Sequence, residues 1–348
     1  MKKLISMLTI IMLLLAVMTG CSNGDSDSQV KEDEQVKTDE QVETNEDAKN
    51  ESDGEKIKIG IIQPVEHPSL NQIREYIIIG LEEQGLKDKV EIIYKNAQGD
   101  SSNINTIVSQ FIGDKMDIIV PIGTGAAQSI AAATKDIPIV FAASSFPVEA
   151  GLVKDVNKPE ANVTGLSDAI DVNEIFSLAA NLTPEVKTYG FIYNSGEVNS
   201  VAAIEKAKEY CDANGLEFVE VTITSSGDLV QAAQSLVGKV DAIFTPTDNT
   251  VASAMPVLAA EAYNADIPVY VGADSMVIDG GFATVGIDYT VLGRQVAAMV
   301  KKVVDGESIS SIPVETLKEY TKIVNTTTAK EIGIELSEED LKDFQVIE

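Results

Sequence analysis

Gly123-Thr124-Gly125-Ala126 is where residue types and spacing first suggest chemistry. It joins an apolar run ending at Ile122 to a run of small residues, 126–134, and reads as a buried strand turning into a helix. Its glycines let the backbone approach a guest. The free amides of a helix start, with the Thr124 hydroxyl, make an anion site. Ser144 and Ser145 follow another short apolar run. In the second half, the carboxylates Glu197, Asp248 and Asp274 stand just beyond apolar runs and suit an ammonium. Asn194, Asn199, Ser200 and Asn249 beside them offer directed hydrogen bonds. An anion site in one half and carboxylates in the other describe a zwitterion such as an amino acid. Plainer uses stay open. Asp248-Asn249 and Ser195 also suit helix caps, Asp274 suits a turn, and the Gly123 stretch suits any strand-to-helix turn.

Composition excludes other chemistries. Asp and Glu outnumber Lys and Arg 55 to 26, a net charge of -29, which repels nucleic acid. The chain has one histidine, His67, and no tryptophan. One imidazole argues against a multi-histidine metal site or a serine triad, and no nucleophile–base pair stands out. No phosphate-binding G-x-x-x-x-G-K-[ST] occurs, and the Gly123/Gly125 turn lacks the third glycine of a dinucleotide fingerprint. No catalytic residue, metal or cofactor is therefore expected. Cys21 and Cys211 lie far apart in different contexts, so no disulfide is predicted.

The elements that position these residues alternate. Strands are predicted at 57–62, 90–94, 117–122 and 138–142, with helices at 69–84, 103–112 and 126–134 between them. Ser101 or Ser102 is the expected cap of the second helix. A strand at 163–167 leads out, and the pattern restarts with helices at 172–181, 200–214, 229–237 and 249–263. The strands among them are at 188–193, 217–221, 242–245 and 269–272. Strand–helix alternation of this kind gives parallel βαβ units covered on both faces. The fold class is α/β, with two Rossmann-like lobes of parallel strands. The strand at 283–287 and the helix at 291–304 are expected to return to lobe 1, and the strand at 320–324 to cross back, making a three-stranded hinge. Lobe 1 is thus 56–168 plus 283–307, and lobe 2 is 169–282 plus 308–348. Ligands in such sheets bind at the carboxyl ends of strands.

The amino terminus carries a different message. Met1-Lys2-Lys3 precedes an apolar run, Ile5 to Val17, too short to span a bilayer, and Met18-Thr19-Gly20-Cys21 follows. This resembles a bacterial lipobox, in which 1–20 is a signal peptide and Cys21 becomes the lipidated terminus; Met18 stands where leucine is usual. Residues 22–55 hold 13 acidic and 3 basic residues and almost no apolar ones, the composition of a solvated tether.

Lipobox, tether and two α/β lobes together resemble the solute-binding lipoproteins of ABC importers, with a type I periplasmic-binding fold. The body is similar to the TrpX-like family linked to tryptophan and tyrosine uptake. Glu66-His67-Pro68-Ser69-Leu70, Asn96-Ala97-Gln98-Gly99-Asp100, Tyr193-Asn194-Ser195, Pro246-Thr247-Asp248-Asn249 and Gly286-Ile287-Asp288-Tyr289 with Leu292-Gly293 carry the resemblance, over roughly 57–335. Members often have Asp after the His-Pro-small-Leu block, where this chain has Asn71. The resemblance implies capture of an aromatic amino acid by hinge closure. Lobe 1 would hold the carboxylate at Thr124 and Ala126 with Ser144 or Ser145. Lobe 2 would close with Asn194, Glu197, Asn199, Asp248 and Asp274. His67, Leu70, Phe146 and Tyr193 are candidates for a flat slot. It further implies docking on an ABC permease, attachment to the outer face of the cell membrane and a monomer. Another solute of the same fold class, such as a branched-chain amino acid or a nucleoside, or a sensor role, stays open.

Overall fold

Short apolar strands separated by amphipathic helices have one way to bury both faces: a parallel sheet flanked by helices. The computed structural model describes residues 55–159 and 161–348, and it holds two such sheets. The signal segment, Cys21 and all but the last residue of the acidic linker lie outside the described residues. Among the described residues no helix is long and apolar enough to cross a membrane.

The first half runs β1 (Ile57–Gln63), α1 (Pro68–Glu83), β2 (Val90–Asn96), α2 (Ser101–Gly113), β3 (Ile118–Pro121), α3 (Thr124–Ala133), β4 (Ile139–Ala142) and β5 (Val163–Ser167). The second runs α4 (Val172–Leu182), β6 (Thr188–Asn194), α5 (Val198–Asn214), β7 (Glu217–Ile223), α6 (Leu229–Leu236) and β8 (Ala242–Thr245). It continues with α7 (Asn249–Ala252), α8 (Met255–Tyr263), β9 (Val269–Val271), α9 (Asp274–Ile278) and β10 (Ala283–Gly286). The remainder is α10 (Tyr289–Val304), β11 (Glu315–Thr316), β12 (Thr321–Asn325), α11 (Thr326–Glu331), α12 (Glu338–Leu341) and β13 (Phe344–Ile347).

The first sheet has the order β11-β5-β4-β3-β1-β2, all parallel. The second has the order β13-β12-β10-β9-β8-β6-β7, parallel except for the β10–β12 pair. Both halves share one winding, in which the order reverses between the first and third strands. A crevice opens at that reversal, outside the carboxyl ends of the strands. In lobe 1 it lies between β1 and β3, in lobe 2 between β6 and β8.

The crossings differ from the expected boundaries. Ala283–Gly286 pairs with β9 and β12, so it belongs to the second sheet, not to lobe 1. The chain crosses only afterwards, because α10 buries its apolar face on α1. Glu315–Thr316 then adds an edge to β5, so the first lobe extends past 307 before the chain returns at β12. The three crossings, 168–171, 287–288 and 317–320, are segments outside the strands. The predicted helix 249–263 is broken at Ser253-Ala254, just ahead of Pro256, which cannot donate to a preceding turn. Asp100, not Ser101 or Ser102, caps α2, accepting from the Ser102 amide at 2.8 Å.

The α1–α10 contact depends on small residues. A Cβ on Gly293 would stand 2.7 Å from Tyr76 Cβ and 2.8 Å from the Ile73 carbonyl, while one on Gly80 would stand 2.7 Å from Ala297 Cβ. Alanine in a helix interior normally gains about 1 kcal/mol over glycine. Here overpacking opposes that gain at roughly 1–3 kcal/mol. Gly293→Ala is therefore expected to lower the urea midpoint of unfolding; an unchanged or raised midpoint would mean that the two helices do not pack this closely.

Candidate functional site

The two crevices face each other and enclose one cavity. The space between the lining atoms, including the part open to solvent, is about 400 Å³, and the lobes leave only about 20 Å³ of it for the centre of a water-sized guest. The turn after β1 supplies His67, and the first residues of α1 and α3 supply Ser69, Leu70 and Thr124. The loop after β8 supplies Thr247, Asp248 and Asn249, and α5, after β6, supplies Asn199. Ala143, Ser145, Asp168, Ala252, Ala273, Met276 and Tyr289 complete the lining. The lobes touch here: Ser69 Oγ lies 2.6 Å from Ser275 Oγ, and His67 Nε2 lies 3.3 Å from Asn249 Oδ1. This is a closed arrangement.

Lobe 1 presents helix starts without side-chain caps. Gly123 precedes α3 with φ 81°, a left-handed conformation that suits glycine, and has no side chain to fill the turn. His67 precedes α1 without capping it, and Pro68 occupies the first turn. The leading amides of both helices therefore carry partial positive charge toward the cleft. The Thr124 hydroxyl lies 3.1 Å from that of Ser144.

The opposite charge is buried among carboxylates. Asp168, 4% exposed, accepts from Ser145 Oγ at 2.7 Å, and burial raises its pKa. Asp248, 1% exposed, is raised to about 7, first by burial and then by the charge of Glu197. The amides of Asn194 and Val251 donate to it at 2.7 and 2.9 Å and oppose that rise. Asp274 is raised to about 6, mainly by burial. No lysine or arginine lines the cavity. Apart from the carboxylates the lining mixes hydroxyl and amide side chains with small apolar ones, and it carries two rings, His67 and Tyr289.

Of the expected site residues, Ser69, Leu70, Thr124, Ser145, Asn199, Asp248 and Asn249 meet at this cavity. Seven others do not line it. Ala126 is buried in the first turn of α3, and Ser144 lies behind Thr124. Tyr193 turns away to donate to Glu220. Asn194 bonds Thr250 Oγ1 at 2.8 Å. Glu197 accepts from the amides of Asn249 and Thr250, from Asn249 Nδ2 and from Thr250 Oγ1 at 2.7–3.0 Å, so it holds the start of α7. Ser200 is buried beside Asp248, yet its hydroxyl meets no partner of full hydrogen-bond geometry. Asp274 opens α9 and accepts the Ser275 amide. Phe146 lies outside the cavity, with the Lys206 ammonium 5.6 Å from its ring centroid.

Tyr289 and Asp168 line the cavity but were not among the expected site residues. Asp168 lies in a crossing and Tyr289 directly follows one, and a crossing borders the cleft by construction; that was the available signal.

A closed two-lobe α/β clamp of this winding, with its cavity at facing switch points, has the type I periplasmic-binding fold. Residues 58–346 match the family described as ABC transporter substrate binding protein, and the chain belongs to that family. It is 38% identical, over 98% of its length and 95% of the relative's, to a "Tyrosine-binding protein" of Clostridioides difficile. It is similar to the crystal structure of an ABC domain in complex with L-Trp from Streptococcus pneumonia. That match has 39% identity and TM-score 0.82, over 84% of this chain and 100% of the other. A ligand-free, open substrate binding protein with adhesive properties from Clostridium difficile is 41% identical. It covers 84% of this chain and 99% of its own, but its TM-score is only 0.65. The lower score at equal identity agrees with the closed lobes seen here.

A buried acid whose folded pKa exceeds its unfolded value holds its proton longer when folded. Its contribution to stability is complete below the unfolded pKa and is lost as pH rises through the folded one. For Asp248 and Asp274 that window runs from about pH 4 to about 7. The ligand-free protein should therefore melt higher at pH 5.5 than at pH 8. Asp274→Asn should gain roughly 2 kcal/mol at pH 8 and show a flatter profile. A melting temperature that falls on acidification over this range, in parent and variant alike, would contradict the burial of these carboxylates.

Proposed function

We propose that this ABC transporter substrate-binding protein captures an aromatic amino acid as a zwitterion, by closing its lobes around it. The observation that carries this reading is the charge layout of one enclosed cavity. Uncapped helix starts lie on the lobe 1 side, the buried carboxylates lie at the hinge crossing (Asp168) and in lobe 2 (Asp248), and no basic side chain lines the cavity. The ligand carboxylate sits at the amides that open α1 and α3, beside Thr124. The ammonium sits among Asp168 and Asp248 and lowers the cost of keeping them ionised. The rings of Tyr289 and His67, with Leu70 and Met276, take the aromatic side chain. A tyrosine-binding relative and a similar structure holding L-Trp favour this ligand class. Because the ligand touches both lobes only when they are closed, binding shifts the population toward the closed form.

In this reading the protein is an extracytoplasmic lipoprotein, held through Cys21 and its acidic tether, that acts as a monomer without catalysis and delivers its ligand to a membrane permease. Cys21→Ala is expected to move the protein from the membrane fraction to the soluble fraction, read by immunoblot; retention in the membrane would overturn the anchor.

Calorimetry tests the zwitterion. L-Trp or L-Tyr should bind, while tryptamine and indole-3-propionate, which each lack one charge, should bind at least about 100-fold more weakly. Asp168→Asn should weaken binding about 10- to 100-fold. Equal affinity for L-Trp and either analogue, or binding of a nucleoside in place of amino acids, would overturn the reading.

A further inference from the structure

His67 is the one histidine of the chain, and its hydrogen-bond partner decides which of its ring nitrogens carries the proton. Four donors converge on the two oxygens of Glu197, so that carboxylate acts as an acceptor. One of the four is Asn249 Nδ2, at 2.7 Å. With Nδ2 committed to Glu197, the other end of the Asn249 amide, Oδ1, faces His67 Nε2 at 3.3 Å. A carbonyl oxygen can only accept, so Nε2 is the N–H. Nδ1 is then a lone pair, and burial favours this neutral ring.

That lone pair has no partner. Nδ1 is among four buried side-chain nitrogens and oxygens without a hydrogen bond among the described residues, and His67 is the only one of those four residues that lines the cavity. The His67 residue is 8% exposed. A buried acceptor left unpaired is costly, and a site built around one discriminates strongly against guests that cannot fill it.

Resting on the aromatic amino acid reading above, we propose that His67 Nδ1 accepts a hydrogen bond from the side chain of the bound amino acid. The site thereby selects an indole N–H or phenol O–H over a plain phenyl ring. The ammonium is drawn instead to the cavity carboxylates Asp168 and Asp248, which have no basic side chain beside them on the lining. The donor left for Nδ1 is the one on the ring. Tyrosine and tryptophan, the ligands of the two relatives, both carry such a donor. Glu197 and Asn249 serve as positioning residues, because they set the tautomer without facing the ring donor themselves.

The test is calorimetry on the full chain in detergent, comparing each ligand with its donor-less partner: L-Tyr with L-Phe, and L-Trp with benzothienylalanine, in which sulfur replaces the indole N–H at nearly the same shape. The parent should favour the donor-bearing member of each pair about 10- to 100-fold. His67→Gln keeps a donor for Asn249 but has no acceptor in the Nδ1 position, so its preference should collapse to about threefold or less. His67→Asn keeps an oxygen near the Nδ1 position and loses the bond to Asn249. It should bind everything more weakly yet retain the preference, which guards against a variant that merely fails to fold. Equal affinities within both pairs in the parent, or a preference undiminished in His67→Gln, would overturn the inference and leave the aromatic amino acid reading standing. If none of the four compounds binds, that reading fails and the inference fails with it.

Discussion

Burying carboxylates without cations is the constraint from which the site follows. Asp168 and Asp248 are almost fully enclosed at the cleft, and Asp274 stands close by. Moving an ionised carboxylate out of water is expensive unless hydrogen bonds or opposite charge compensate. Hydrogen bonds from Ser145 and from the amides of Asn194 and Val251 compensate in part, and burial still raises both pKa values. Across the cavity, the amides opening α1 and α3 have the complementary shortage of acceptors. Each side lacks what one end of an amino acid carries.

The fold is what makes these two shortages meet. In each sheet the strand order reverses once, and the loops on either side of the reversal open in the same direction. Two sheets with one winding, joined by three crossings, set the two reversals face to face. The crossings are single backbone segments outside the strands, so the lobes can separate without breaking a ladder. Ser69 with Ser275 and His67 with Asn249 bridge the cleft through side-chain hydrogen bonds. Contacts of that size can be remade cheaply, which suits a clamp that must open to release its ligand.

Much of this architecture could be read directly from the sequence because local signals agreed with the global fold. Apolar runs of four to seven residues alternating with amphipathic stretches have few other solutions, and nearly every strand lies within a residue or two of its expected place. The crossings were harder. Whether Ala283–Gly286 pairs with β9 or returns to the first sheet depends on long-range pairing, and its four residues carry no mark of the partner. Within the site, polarity at strand ends located the right loops but not the inward-facing residue of each. Glu197 and Asp248 are both acids beside the same helix start; only packing decides that Glu197 holds α7 while Asp248 lines the cavity. Tyr193 looked like a slot residue because it ends a strand, yet the pleat sends it toward Glu220. Tyr289 opens a helix that changes lobes, and nothing local distinguishes it from an ordinary core tyrosine.

In the proposed complex a zwitterion spans the cleft with its charges in a fixed order. A crystal structure of the protein grown with L-Trp tests it most directly. The lobes should be closed, with the ligand carboxylate on the first amides of α1 and α3 and the ammonium within hydrogen-bond distance of Asp168 or Asp248. A ligand in the reverse orientation, or one bound to a single lobe with the cleft open, would contradict it.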